Sequence, residues 1–318
     1  MPHTLTLEQA IAQRFPYHSE AGERIRNHVV RVCRYHIDSG LLDSDAEQRL
    51  CGQNHFRFWQ TFSEVLLADQ LAKVGLRPTH AQNSPDFLVE HDGQRIWVEV
   101  TAPEPAGLPP IWVNHVSGNL VSLPHEELLL RWTSAIKEKA DKLLGRTDPK
   151  TGDYVPGYLD KGVVREQDAY VIAVNGRLLR GFGGASELVG ISQFPFAVEA
   201  TLAIGPLQVS IDATTLKKLS SGHQHRSFIR KPKGADVPTD TFLDPGFSPI
   251  SAIWAVDVDE MMLLGQARPM VIVHNPSASI PLARNLLPAQ EEYAARSYND
   301  YFEVYLEDGL LANGAPRA

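Results

Sequence analysis

The feature that most constrains this chain is a change of hydrophobic period at Ser84. Upstream, apolar residues recur at helical spacing. Downstream, PDFLVE and RIWVEVT alternate with period two around His91-Asp92-Gly93-Gln94. An Asp-Gly pair between alternating segments is the strongest short-range signal for a β-hairpin, because a type I′ turn needs φ > 0 at both central residues. With Asp92-Gly93 in the turn, His91 pairs with Gln94, Glu90 with Arg95, Leu88 with Trp97, and Asp86 faces Glu99. Phe87, Val89, Ile96, Val98 and Val100 then form one core-facing surface. A slip of one residue would reverse every side chain of a strand, so this apolar set resists it. Glu99 and Thr101 share the Asp86 face.

The rest of the chain divides by the same reasoning. Ser19 is placed to cap a helix carrying Ile25, Val29, Val30 and Cys33, which ends near Gly40. A second helix over about 56–74 has Gly75 just past its end and Pro78 beyond. Its apolar residues nearly encircle it, so it is expected to be buried. Further on, the proline-rich APEPAGLPP leads into a helix over 125–144, and AYVIAV, FAVEATLAI, LQVSI, ISAIWAV and PMVIV read as strands. The polar stretch 216–247 reads as a long exposed loop. RGFGGAS, 180–186, lacks the Lys-Ser/Thr ending of a phosphate-binding loop and reads as a flexible connection. These elements predict a mixed α/β (α+β) fold with a sheet of about six strands flanked by helices. The expected organisation is a helical N-terminal portion, 1–55, followed by an α/β core, 56–318.

Composition narrows the function classes. The 318 residues are 43% hydrophobic with a formal net charge of −8, which argues against a generic polyanion-binding surface. Phosphate contact would have to be local. The main basic cluster is Lys217, Lys218, His223, His225, Arg226, Arg230, Lys231 and Lys233, which could neutralise phosphates. No apolar run suffices for a membrane span, and the N-terminus lacks a basic start before an apolar stretch. The only cysteines are Cys33 and Cys51, without zinc-type spacing. A cytoplasmic, non-membrane protein is expected. No G-x-S-x-G elbow is present.

The two acids of the hairpin carry the chemistry. Like charges directly opposed across strands repel, and a hard cation held by carboxylate oxygens would remove the repulsion. The alternative is two acids on a solvated face, against which Leu88 and Trp97 on that face argue. Acids so close leave no room for a sugar between them, which disfavours a glycosidase. Ser84-Pro85-Asp86 followed by Glu99-Val100-Thr101 resembles the PD-(D/E)XK nuclease superfamily. The resemblance implies a restriction-endonuclease-like fold in which Asp86, Glu99 and the Val100 carbonyl hold Mg²⁺ or Mn²⁺. It also matches Glu64, on the preceding helix, to an acidic residue that assists the metal. A buried salt bridge to an arginine is the other reading of Glu64. Thr101 stands where the family has its lysine. Some members supply that lysine from the following helix, where the helical wheel nominates Lys139, with Lys142 behind it. Solvated lysines on an amphipathic helix are the alternative there. The implied activity is Mg²⁺-dependent hydrolysis of nucleic-acid phosphodiester bonds, with DNA the expected substrate. The alternative, favoured by Thr101, is a catalytically inactive relative that binds nucleic acid or a partner protein.

Overall fold

Side-chain caps set the helical N-terminal region. Thr6 forms a capping box with Gln9 at the start of α1 (Leu7–Arg14), and Ser19 accepts from Gly22 N at the start of α2 (Glu20–Asp38). After α3 (Ala46–Cys51), Asn54 caps α4 (His55–Lys73), and Gly75 follows it at φ 84°. The computed structural model describes residues 5–114, 121–181, 188–298 and 302–308. The expected connection RGFGGAS therefore lies mostly outside the described residues.

A seven-stranded mixed sheet forms the centre. Its strands are β1 (Phe87–His91), β2 (Gln94–Thr101), β3 (Ala169–Asn175), β4 (Ala252–Val256), β5 (Met270–His274), β6 (Glu291–Ser297) and β7 (Phe302–Asp308). They lie side by side in chain order. β2, β3 and β4 run parallel, as do β5 and β6, and the remaining neighbours are antiparallel. The β1–β2 register follows the hairpin expected from Asp92-Gly93, whose φ values of 48° and 80° suit a type I′ turn. β6 and β7 raise the count above the expected six. EEYAARS is too charged to stand out as a strand by apolar alternation.

The sheet is covered on both faces, as the near-continuous apolar runs of parallel strands require. Ile96, Val98, Val100, Val171, Ala173 and Trp254 pack with α4 and the N-terminal helices. Trp97, Tyr170, Ile172, Val174 and Ile253 pack on the other face with α6 (His125–Leu144) and α7 (Phe196–Thr201). A short helix, α5 (Pro110–Val113), lies between β2 and α6. Residues 5–55 share this core with the sheet. The architecture is α/β, with helices on both sides of a mixed sheet. Among the described residues no helix is long and apolar enough to cross a membrane. Both cysteines are buried and unpaired.

Two expectations fail on the α6 side. FAVEATLAI is not a strand: Phe196–Thr201 is a buried helix, entered from Pro195, and the chain extends only from Ile204. Alternation cannot assign a run that is buried all round. Pro195, with its fixed φ, and Ala197 and Ala200 favour helix there. The stretch 216–247 is not a loop, and Ile229, Thr239 and Phe242 within it are buried. Lys218–His225 pairs with Ile204–Ile211 in a two-stranded arm, and Phe228–Arg230 pairs with Asp236–Pro238. Backbone pairing, which polar residues satisfy as well as apolar ones, organises this segment.

Candidate active site

The site forms where β2 outruns its neighbour. The β1–β2 ladder ends at Phe87↔Val98, whereas on its other side β2 stays paired with β3 as far as Thr101↔Val174. Pro85, which has no N–H, precedes the ladder by two residues. The outer edge of residues 99–102 therefore lacks a strand partner, and buried backbone groups must be satisfied otherwise. Two side chains do this. Asp86 Oδ2 accepts from Val100 N at 2.6 Å. Gln60, from α4, donates Nε2 to Val100 O at 3.0 Å and accepts from Ala102 N at 2.9 Å. Asp86 is thus not a rung of the ladder opposite Glu99, as the hairpin pattern suggested. It caps the free edge of β2.

Glu99 points toward α6 and is 1% exposed. The apolar face of α6, with Trp132, Ile136, Ala140 and Leu143, packs on the sheet and carries Lys139 inward with it. Lys139 Nζ donates to Glu99 Oε1 at 2.8 Å, and Lys142 Nζ donates to the same oxygen at 2.8 Å. The Lys139 side chain is 7% exposed and that of Lys142 is 44% exposed, so one lysine is enclosed and the other stands at the rim.

The charges are strongly coupled. Burial pushes the Glu99 carboxyl up, but Lys139 and Lys142 outweigh it and hold Glu99 below the ordinary carboxylate value. Burial, the Glu99 charge and then the Glu64 charge drive Asp86 well above its ordinary value. Burial opposes the charge on Lys139, yet Glu99 and Asp86 raise its pKa. Glu99 is therefore the anion that anchors the lysines. Asp86 is an acid whose ionised form lacks a cationic hydrogen-bond partner among the described residues.

Glu64 comes from α4 and is buried. Its Oε1 accepts from Gln60 Nε2 at 3.2 Å, and its Oε2 lies 3.9 Å from Arg49. Burial raises its pKa, against the Gln60 hydrogen bond and the Arg49 and Lys139 charges. Both readings of Glu64 therefore have a physical basis: an arginine is beside it, and Gln60 links it to the Val100 carbonyl. Thr101 is buried on the Glu99 face and supplies no charge. Gln60 and Tyr158 were not singled out from the sequence. The Tyr158 hydroxyl donates to Ser84 O at 3.4 Å, and burial with the Glu99 and Asp86 charges raises its pKa. Gln60 sits one helical turn before Glu64, a spacing that could have revealed it. No local pattern marks Tyr158.

The basic cluster is partly spent on local pairs. Arg226 bonds Glu126 at 2.7 Å, and Arg230 bonds Asp236 at 3.0 Å. Glu126 and Lys139 are separated along α6 by about 20 Å at 1.5 Å per residue.

Among the described residues, no group of three or more His, Cys, Asp or Glu side chains could hold a metal ion. The available donors are two carboxylates and a carbonyl. Both lysines use Oε1 of Glu99, and Val100 N uses Oδ2 of Asp86, leaving Oε2 and Oδ1 without hydrogen bonds among the described residues. Val100 O accepts one hydrogen bond and has a second lone pair. This hard-oxygen set fits Mg²⁺, which is held through one or two carboxylates and keeps several waters.

No protein-family model, curated protein or solved structure matches the chain.

Proposed function

We propose that this protein is a divalent-cation-dependent nuclease of the PD-(D/E)XK type whose lysine comes from the helix after the carboxylate strand. The observation that carries the reading is the convergence of Asp86, Glu99 and Lys139 from three separate segments, with the lysine 2.8 Å from Glu99. Asp86, Glu99 and the Val100 carbonyl would hold Mg²⁺ or Mn²⁺, with Glu64 behind them. The cation would neutralise phosphate charge and make its water more acidic. Lys139 holds Glu99 in one orientation and keeps a positive charge where charge develops on the phosphate. Lys142, at the rim, is the cation able to exchange Glu99 for a phosphate oxygen. Nucleic acid, in the first place DNA, is the proposed substrate.

A second reading is a non-catalytic module that binds nucleic acid or a partner protein. It is favoured by Thr101, which is uncharged at the place where the family has a lysine, and by the neutralisation of Glu99 by two lysines. One experiment separates the two. Purified protein is titrated with Mn²⁺ by calorimetry and incubated with single- and double-stranded DNA and RNA in Mg²⁺ or Mn²⁺. A nuclease cleaves one of these substrates, and Asp86→Ala abolishes both cation binding and cleavage. Cation binding without cleavage of any substrate selects the binding module.

A further inference from the structure

The two-stranded arm formed by Ile204–Ile211 and Lys218–His225 is covered only at its root. Ile204 and Gly205 are buried, but residues 207–211 of the first strand and 218–225 of the second are exposed throughout. Each strand spans about 25 Å at its eight-residue length. A hairpin with water on both faces is marginally stable at best.

The two faces of the arm differ. Leu207, Val209 and Ile211 alternate with Gln208 and Ser210, so the three apolar side chains share one face. Directly opposed residues also share a face, which places His223 and Ser221, the partners of Leu207 and Val209, on that side. Leu219 joins them by alternation. Leu207, Val209, Ile211 and Leu219 are between 50% and 67% exposed. Gln208, Ser210, Ser220 and Gln224 make the reverse face polar. A sheet with one apolar face normally turns it to a core.

The tip adds a fifth apolar side chain. Asp212 accepts from Thr214 N at 2.9 Å and Thr215 N at 2.6 Å, and Leu216 N donates to Asp212 O at 2.8 Å. This turn holds Leu216 at φ 55°, an uncommon conformation for leucine, and leaves it 79% exposed. At the root the apolar face runs into a cavity. The His223 ring centroid lies 5.1 Å from that of Phe194. Both residues line a cavity of about 620 Å³ with Ile204, Leu243, Phe302 and Val304. The arm thus carries an apolar knob at one end and an apolar hollow at the other.

Area indicates what covers this face. At about 25 cal/mol per Å² and about 1.5–3 kcal/mol per buried aliphatic side chain, five side chains of this exposure present on the order of 300 Å² of apolar surface. Two copies supply about 600 Å², and because roughly 60% of an interface is apolar, the whole contact comes to about 1,000 Å². Specific association begins at about that size.

We propose that the arm is a dimerisation element, with two copies of this chain stacking their arms antiparallel about a two-fold axis, apolar face to apolar face. Antiparallel stacking puts the tip of each arm over the root of the other, so each Leu216 enters the other copy's cavity. Such a contact is self-complementary and closed. It also leaves the two Lys217–Lys218 tips about 25 Å apart, beyond the ~8–10 Å over which charges interact in physiological salt. The proposal does not depend on the nuclease reading, because it uses none of the residues of the Asp86–Glu99 centre.

The test is sedimentation equilibrium of the full chain at micromolar concentrations, where a dimer is expected. Val209→Glu puts two carboxylates between the stacked faces. Leu216→Gly removes the knob at a backbone conformation that suits glycine. Each should raise the dissociation constant at least tenfold, with the circular dichroism of the parent retained. Ser210→Glu, on the reverse face, should leave the dissociation constant unchanged. A monomer at every concentration overturns the proposal, as does a dimer that Val209→Glu leaves intact or that Ser210→Glu weakens equally. A monomer that binds duplex DNA, and loses it on Lys217→Glu and Lys218→Glu, would make the arm a nucleic-acid contact and overturn the proposal too.

Discussion

Lys139 Nζ lies 2.8 Å from Glu99 Oε1, across 40 positions of sequence, and both side chains are buried. Removing one member of a buried ion pair strands the other, at about 3–5 kcal/mol. The two members are not equivalent, because Lys142 also bonds Glu99. Glu99→Ala leaves Lys139 buried without its acceptor and should cost about 3–5 kcal/mol. Lys139→Met leaves Glu99 paired with Lys142 and should cost clearly less. Urea unfolding of the two variants checks this, and equal losses would contradict the shared-oxygen geometry.

If the protein is a nuclease, Lys139→Met should lower the cleavage rate about 10²–10³-fold, the usual effect of losing one transition-state donor. Its cation affinity should not fall, because a positive charge beside Glu99 has been removed. Normal cleavage by this variant would move the role to Lys142.

Asp86 caps the edge of β2, and under the proposed function it also holds the cation. Asp86→Asn keeps an acceptor for Val100 N and removes a carboxylate whose ionised form is disfavoured by burial and by Glu99 and Glu64. Its melting temperature at neutral pH should equal or exceed that of the parent. Asp86→Ala removes the acceptor too and should lose about 1–3 kcal/mol. Both should lose cation binding. A stable Asp86→Ala protein would show that the edge of β2 does not need its cap.

Gln60 tests the same edge from the other side. Gln60→Leu leaves Val100 O and Ala102 N without their side-chain partner. A loss of about 1–3 kcal/mol is expected. Amide exchange should speed up at Ala102 more than at Val171, in the middle of β3. Unchanged exchange at Ala102 would remove Gln60 from the site.

His36 gives the pH dependence a sign. It is buried on α2, and burial holds its pKa below the ordinary 6.5, against the opposing charge of Asp69. The unfolded chain then binds more protons than the native one below that value, so stability falls as pH drops through 6.5 toward the native pKa. Between about pH 8 and pH 5, His36→Leu should lose less stability than the parent. Parallel pH profiles for the two proteins would exclude His36 as a source of acid sensitivity.

Short-range signals determined much of this molecule. Alternation around Asp92-Gly93 set the hairpin and its register, because a period of two admits only one face for Ile96, Val98 and Val100. Ser19 and Gly75 marked helix ends by cap chemistry that is local to a few residues. The apolar stripe of α6 was enough to turn Lys139 toward the sheet. Everything that required distant segments to meet was decided by the tertiary structure. Phe196–Thr201 became helical inside a core that hides its pattern, and Lys218–His225 became a strand through a partner that no residue of its own announces. Gln60 and Tyr158 joined the carboxylates because helix and loop are packed against a strand edge. Caps, turns and alternation act over a few residues, whereas edges, clefts and charge clusters exist only once the layers have packed.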